Sequence, residues 1–199
     1  MRTKASIAGH PLHPMLVAFP IALYTATFVS LLFYVGTDDL FWYRAALAVN
    51  VGGLIMAACA IIPGAIDLFS LPRHSAARET GLKHAGANVV STVLFLVNAI
   101  VMWHEWNTRV QLEGRYYVQA AAPLALSIIG LLALVIAGWL GWTLVQTHHV
   151  GIRDLADERA IRTADEDDME PWLPPQAPAD TTGRHSTLRG INTPHDTLH

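Results

Sequence analysis

The sequence predicts an all-α integral membrane protein, a bundle of four transmembrane helices with a disordered C-terminal tail. Two observations lead to this fold class. Of the 199 residues, 52% are hydrophobic and only 15% are charged, against about 25% charged residues in a typical soluble domain. Charge is also missing from four long intervals, each long enough for a helix to cross a hydrocarbon core of about 30 Å. The intervals without Asp, Glu, Lys or Arg are residues 5–37, 45–66, 84–104 and 116–152.

The membrane domain is predicted to span residues 1–153. Its helices are expected at about 14–35, 44–66, 84–104 and 118–147. Pro14 suits the first position of the first helix, and the prolines that follow His10 and His13 bias both histidines toward extended backbone. The basic stretch before His84 is interpreted as a loop. No internal repeat is evident in the sequence.

Residues 154–199 have a different composition from the membrane domain. A charged stretch that includes Asp-Glu-Asp-Asp at 165–168 is followed by a part rich in Pro, Thr, Asp and Gly. Such a composition does not bury enough apolar surface to fold. We therefore expect a flexible, cytoplasmic tail.

The distribution of basic residues predicts the orientation. Eight lie on one side of the predicted helices, namely Arg2, Lys4, Arg73, Arg78, Lys83, Arg153, Arg159 and Arg162. Three lie on the other side, namely Arg44, Arg109 and Arg115. By the positive-inside rule, both termini and the central loop are expected in the cytoplasm.

Four antiparallel crossings bring distant polar residues to one face of the membrane. The residues expected there are His10, His13, Asp67, His84, Asn88 and His148. Imidazole is a common ligand of transition metals and of haem iron. We interpret His13, His84 and His148 as ligands of a b-type haem, or less favourably of a transition metal ion. Asp67 and Asn88 would then support the ligands.

Simpler roles stand beside this interpretation. Single histidines are tolerated where a helix meets the headgroups, and Asp67 can cap a helix or pair with Arg73 or Arg78. Asn50 and Asn98 are expected to form hydrogen bonds between helices. There is no glycine-rich phosphate loop, no Cys-x-x-Cys and no Ser/His/Asp motif in context, so the sequence predicts no particular enzyme chemistry. Nothing indicates nucleic acid as a partner.

Four segments carry a family resemblance. Residues 9–21 contain His-Pro-Leu-His-Pro, and residues 63–67 read Pro-Gly-Ala-Ile-Asp and are followed by Leu71-Pro72. Residues 77–88 run from Ala77-Arg78 through Gly81 to His84 and Asn88, and residues 138–141 read Gly-Trp-Leu-Gly and run into His148. Over about residues 9–153 the chain resembles DUF2231, a family of bacterial membrane proteins. The resemblance implies a multi-pass protein of the bacterial inner membrane. It also implies a link to Rieske iron–sulfur domains, and hence an electron-transfer role with a Rieske-type redox partner.

The sequence therefore leads to one main hypothesis and two rivals. The main hypothesis is a membrane redox module with a histidine-rich cofactor site near the cytoplasmic face. The first rival is an accessory structural subunit without a cofactor, which docks onto a larger membrane complex through its helices and tail. The second is a site that conducts protons or ions. The sequence alone does not identify an electron partner or an oligomeric state.

Overall fold

The computed structural model describes residues 5–7 and 10–151, and within them the chain forms four long helices and two short strand pairs. In chain order the elements are β1 (Ser6–Ile7), β2 (His10–Pro11), α1 (Leu12–Thr37), α2 (Leu40–Ser70), α3 (Ala76–Asn107), β3 (Val110–Leu112), β4 (Arg115–Tyr117) and α4 (Ala121–Gln146). All four helices are long and apolar enough to span a membrane, which confirms the predicted fold class. The predicted tail lies outside the described residues.

The bundle is apolar outside and partly polar inside. Large apolar side chains remain exposed on every helix, for example Phe33 (48%), Ile55 (60%), Ile100 (62%) and Val135 (69%). Every helix also buries a polar side chain completely, and the fully buried ones are Thr27, Asn50, Ser91, Asn98 and Ser127. Exposed apolar surface of this extent is unfavourable in water and favourable in lipid. The burial pattern therefore agrees with a protein surrounded by a bilayer.

The first helix begins two residues earlier than predicted. His10 is extended and pairs with Ile7, as expected, but His13 lies in the first turn of α1 rather than before it. Pro14 is the third residue of the helix, where a missing N–H still breaks no hydrogen bond of the helix. At the other end Asp38 adopts a left-handed conformation (φ 53°), and the Asp39 carboxylate accepts from Phe41 N (2.9 Å) to start α2.

The third helix begins at Ala76, eight residues before the predicted start at His84. Its N-cap is Ser75, whose hydroxyl accepts from Arg78 N (3.2 Å), and such a cap stabilises a helix start. Glu79 and Lys83 form an ion pair one turn apart (2.7 Å). Arg78, Glu79 and Lys83, interpreted as loop residues, therefore belong to the first two turns of α3, a correction that places His84 well inside the helix.

A β-hairpin, which was not predicted, separates α3 from α4. Strands β3 and β4 pair antiparallel with Leu112 opposite Arg115. Both residues of the turn have positive φ, 50° at Glu113 and 77° at Gly114, which is the conformation of a two-residue type I′ turn. The predicted start of the fourth helix at residue 118 is therefore wrong. Val118 is part of the linker, where its N–H and C=O both bond to the Tyr34 hydroxyl (2.7 and 2.9 Å).

The two helix pairs, α1–α2 and α3–α4, repeat one pattern of contacts. In each pair, two ring side chains of the first helix lie against two glycines of the second, and a Cβ on any of these glycines would approach the ring. The contacts are His13–Gly64 (2.7 Å), Tyr24–Gly53 (2.6 Å), His84–Gly141 (3.1 Å) and Phe95–Gly130 (2.8 Å). The spacing is eleven residues in every helix (13 to 24, 53 to 64, 84 to 95, 130 to 141). The domain is thus an internal repeat of two similar helix pairs.

The pairs meet in the middle of the bundle through aromatic and polar side chains. The rings of Tyr24 and Phe95 are stacked, with centroids 3.9 Å apart and planes at 1°. Asn50 of α2 reaches the sulfur of Met102 in α3 (3.8 Å), whereas Asn98 donates to Ser127 Oγ (2.9 Å) within the α3–α4 pair. The predicted interhelical bonds of Asn50 and Asn98 are present, each with a different partner. Helices pack more extensively within a pair than between pairs, so the seam between pairs is the looser interface.

Candidate functional site

The first residue of the site is His13, which the start of α1 presents to α2. Its ring lies on Gly64, where any larger residue would collide with Nδ1. Nδ1 is 2.9 Å from the carbonyl oxygen of Ala60, one turn before Gly64. The absence of a side chain at Gly64 therefore lets the imidazole reach the main chain of α2.

His84 has the equivalent position in the second helix pair. Its ring lies on Gly141 of α4, with Nδ1 2.8 Å from the carbonyl oxygen of Ala137. Ala137 precedes Gly141 by one turn, as Ala60 precedes Gly64. The same two small residues, one turn apart, thus hold one histidine in each half of the repeat.

These contacts fix the tautomer of both rings. A carbonyl oxygen only accepts hydrogen bonds, so Nδ1 of His13 and of His84 must carry the proton. In the neutral rings Nε2 then keeps a lone pair. Histidines that bind metals usually donate the other ring N–H to a carbonyl or carboxylate in this way. Ligation by either ring would therefore use Nε2.

The two rings contact one another across the seam between the helix pairs. Their centroids are 6.1 Å apart and their planes are nearly perpendicular, at 88°. In a metal centre bound by two imidazoles on opposite sides, each metal–nitrogen bond is about 2.0 Å long. When the distance from each nitrogen to the centre of its ring is added, the two ring centroids lie about 6 Å apart. Ligation of one metal centre at this separation would require both Nε2 atoms to face it. We call His13 and His84 the histidine pair, and the end of the bundle that holds them the histidine face.

Asn88 makes the two halves of the pair unequal. Its Nδ2 lies 3.1 Å from His84 Nε2 and 3.0 Å from the His84 carbonyl oxygen, so the amide donates to the lone pair of that ring. The equivalent residue of α1 is Val17, which has no donor. Within the described residues no side chain forms a hydrogen bond to His13 Nε2. In this arrangement the Asn88 amide covers His84 Nε2.

The remaining predicted site residues lie outside the pair. His148, beyond the end of α4, has Nε2 3.2 Å from the Thr80 hydroxyl of α3. His10 is exposed in β2. Asp67 is 9% exposed and accepts from Ala5 N (3.0 Å), so its carboxylate fastens the segment before α1 to α2. This contact is structural, one of the two roles weighed for Asp67, and its partner is a main-chain N–H rather than Arg73 or Arg78.

The described residues bring together two of the three predicted ligands, with Asn88 beside them. Residues 5–7 and 10–151 contain no group of three or more His, Cys, Asp or Glu side chains suited to a metal ion. His13, His84 and His148 are therefore not gathered into one group. Sequence reasoning missed the carbonyl acceptors and did not predict that glycines make room for the imidazoles. The signal for them was Ala-x-x-x-Gly, present at residues 60–64 and again at 137–141.

Comparison with known proteins agrees with this domain. The family described as "Predicted membrane protein (DUF2231)" matches residues 9–154, which include all four helices and the histidine pair. No curated protein and no solved structure matches the chain. Because the match covers well over half of the 199 residues, the chain belongs to the DUF2231 family of membrane proteins.

Proposed function

We propose that the protein is a membrane redox module that binds a b-type haem between His13 and His84 and transfers electrons. One observation carries the proposal: both rings donate Nδ1–H to a helix carbonyl, at 2.9 and 2.8 Å, so that ligation by either ring would use Nε2. This donor set suits the metals that imidazole prefers, iron among them. A bound haem would supply one-electron chemistry.

The number of ligands favours haem over a bare metal ion. A structural zinc ion takes four protein ligands and a catalytic one three, whereas the pair offers two. A haem brings four nitrogen ligands of its own and needs only axial ligands from the protein. Two histidines on opposite sides of a seam fit that requirement.

The residues around the pair would control access and orientation. The glycines leave room for each imidazole against the neighbouring helix, and the carbonyls of Ala60 and Ala137 keep the rings from rotating. The looser packing between the helix pairs makes the seam the place where a flat ligand can enter. Asn88 must release His84 Nε2 for binding, so its amide competes with a ligand.

We further propose that the histidine face lies at the cytoplasmic side, where a Rieske-type protein or another redox protein would exchange electrons with it. The support is the excess of Lys and Arg at this end of the helices and the family resemblance. In this role the half-buried rings keep the cofactor close to the surface, within reach of a partner.

The test is an absorption spectrum of the full-length protein, purified in detergent from cells supplied with a haem precursor. We expect a Soret band and sharp bands after dithionite reduction, with metal analysis giving iron. The variant His84→Ala should lose these bands, because one axial ligand is removed. The matched control is His104→Ala, which changes an exposed histidine at the other end of α3.

Two outcomes would contradict the proposal. A protein without colour or stoichiometric metal, prepared with haem available, would leave the accessory-subunit hypothesis in its place. A spectrum that His104→Ala changes as strongly as His84→Ala would place the haem elsewhere. Circular dichroism on the same samples establishes that each variant keeps its helices.

A further inference from the structure

An apolar groove of about 1000 Å³ lies between α2 and α3, toward the end of the bundle that carries β3 and β4. We call this end the hairpin face. The groove has walls of Ala48, Val51 and Ile100, and Trp103 and Trp106 line it nearer to the hairpin face. It follows the α2–α3 seam between the helix pairs and is separate from the histidine pair.

Cationic side chains stand at the mouth of the groove. Arg44 lines it directly, and its guanidinium carbon lies 5.9 Å from the centre of the Trp106 ring. Arg109 approaches the same ring at 4.7 Å and the Tyr116 ring at 5.3 Å, while Nη1 donates to the Trp106 carbonyl (2.6 Å). Stacking of this kind holds a guanidinium in place and leaves its N–H edge available.

Neither arginine has an acidic partner. Within residues 5–7 and 10–151 no carboxylate lies within ion-pair distance of Arg44 or Arg109. Two unneutralised guanidiniums therefore share one indole at the membrane surface. Their planar N–H groups match the geometry of a phosphate, which they can bind through two bonds at once.

The lining of the groove changes along its length from charged to apolar, as a phospholipid does from its headgroup to its acyl chains. From Arg44 to Val51 there are seven residues of α2, or about 10 Å of helix. Over this distance the lining changes from cationic and aromatic at the hairpin face to aliphatic at the depth of Val51 and Ile100. Tryptophan beside arginine is typical of the level where headgroups meet acyl chains. The charge at the mouth is complementary to an anionic headgroup.

We propose that this groove binds an anionic phospholipid, with its phosphate on Arg44 and Arg109 and an acyl chain along Ala48, Val51 and Ile100. The lipid fills the α2–α3 seam, where the helix pairs pack less extensively than the helices within a pair. This site is independent of the haem proposal, since it lies near the opposite end of the helices and uses none of the same residues.

The experiment is native mass spectrometry of the full-length protein in detergent, with phosphatidylglycerol or phosphatidylcholine of identical chains. We expect one retained phosphatidylglycerol, held about tenfold to thirtyfold more tightly than phosphatidylcholine, as two arginines near an anionic group predict. The double variant Arg44→Gln/Arg109→Gln should abolish this preference. The matched control Arg115→Gln changes an exposed arginine of β4 that makes no cation–π contact within the described residues, and it should keep the preference.

Two further measurements test whether the ligand of the groove is a lipid. Ala48→Phe leaves both arginines in place and fills the apolar wall, so it should reduce lipid retention about tenfold. Inorganic phosphate at equal concentration should not displace the lipid. Four results would each overturn the proposal. The first two are equal retention of the two lipids and equal effects of Arg115→Gln and the double variant. The other two are unchanged binding in Ala48→Phe and displacement of the lipid by phosphate.

Discussion

The two helix pairs share a framework and differ in the side chains it holds. In the centre, Tyr24 on Gly53 corresponds to Phe95 on Gly130, and the two rings stack on one another. At the histidine face each pair contributes an imidazole to a main-chain carbonyl, but only His84 has an amide beside it. The repeated contacts therefore set the positions of the rings, and Asn88 is the difference between the two halves of the histidine pair. Mutations at equivalent positions of the two helix pairs should have similar effects in the centre of the bundle and different effects at the histidine pair.

The largest effect on stability is expected where a glycine meets a ring that has no room to move. A Cβ at Gly53 would lie 2.6 Å from the Tyr24 ring, and one at Gly130 would lie 2.8 Å from Phe95. Overpacking costs about 1–3 kcal/mol and outweighs the gain of about 1 kcal/mol in helix propensity. Gly53→Ala and Gly130→Ala should each lower the free energy of unfolding in detergent by about 1–2 kcal/mol.

The control for this comparison is Gly86→Ala in α3, where an added Cβ meets nothing within 4 Å. This variant should be neutral or gain up to about 1 kcal/mol. If the central variants were as stable as Gly86→Ala, the stacked centre would not hold the helix pairs together.

The next effect concerns the glycines below the histidines. A Cβ at Gly64 would lie 2.7 Å from His13 Nδ1, whereas one at Gly141 would lie 3.1 Å from His84 Cε1. Gly64→Ala must therefore displace its imidazole from the Ala60 carbonyl, and Gly141→Ala needs a smaller adjustment. Loss of such an outer hydrogen bond weakens binding by about tenfold or more. A haem titration followed by absorbance should show a larger loss of affinity for Gly64→Ala, and the reverse order would contradict the geometry.

The central asparagines should differ as their partners differ. Asn98 donates to a hydroxyl at 2.9 Å and Asn50 to a thioether at 3.8 Å, and sulfur is a weak acceptor. Hydrogen bonds between membrane helices contribute about 0.6 kcal/mol on average and at most about 1.7. Asn98→Ala should therefore lower the free energy of unfolding more than Asn50→Ala, by about 0.5–1 kcal/mol. Equal values in the same unfolding assay would show that the Ser127 contact adds nothing.

The smallest expected change comes from Asn88. Removal of its amide frees His84 Nε2 from a hydrogen bond of about 0.5–1.5 kcal/mol, so Asn88→Ala should raise haem affinity about twofold to tenfold. The reciprocal variant Val17→Asn places an amide at the equivalent position of α1 and should lower the affinity. A lower affinity in Asn88→Ala would mean that the amide supports the ligand rather than competing with it.

The sequence was sufficient for the fold because charge is excluded from the bilayer interior. The four intervals without Asp, Glu, Lys or Arg correspond to the cores of the four helices, whatever the detailed packing. The ends of the helices were harder to predict, because a helix can continue beyond the membrane through residues that are charged. This is why Ser75 and Glu79, a cap and an ion pair of the first turns, were interpreted as loop residues.

The site was predicted in part, for a different reason. Topology alone brings His13, His84 and His148 to one face, but it does not determine the rotation of each helix about its axis. The packing of small residues does. His13 and His84 turn inward because Gly64 and Gly141 leave space for them, while His148 follows the last turn of α4 and reaches Thr80 instead. The repeat is hidden in sequence because equivalent positions carry different side chains, such as Asn50 and Ser127.

The central claim is that the repeat brings one histidine from each helix pair into a single haem site. The most direct measurement is a haem titration of the purified apoprotein, comparing the wild type with His13→Ala, His84→Ala and His148→Ala. We predict one haem per chain, loss of the Soret band in both His13→Ala and His84→Ala, and near wild-type binding in His148→Ala. Binding that survives either of the first two substitutions, or that fails in His148→Ala, would contradict the claim.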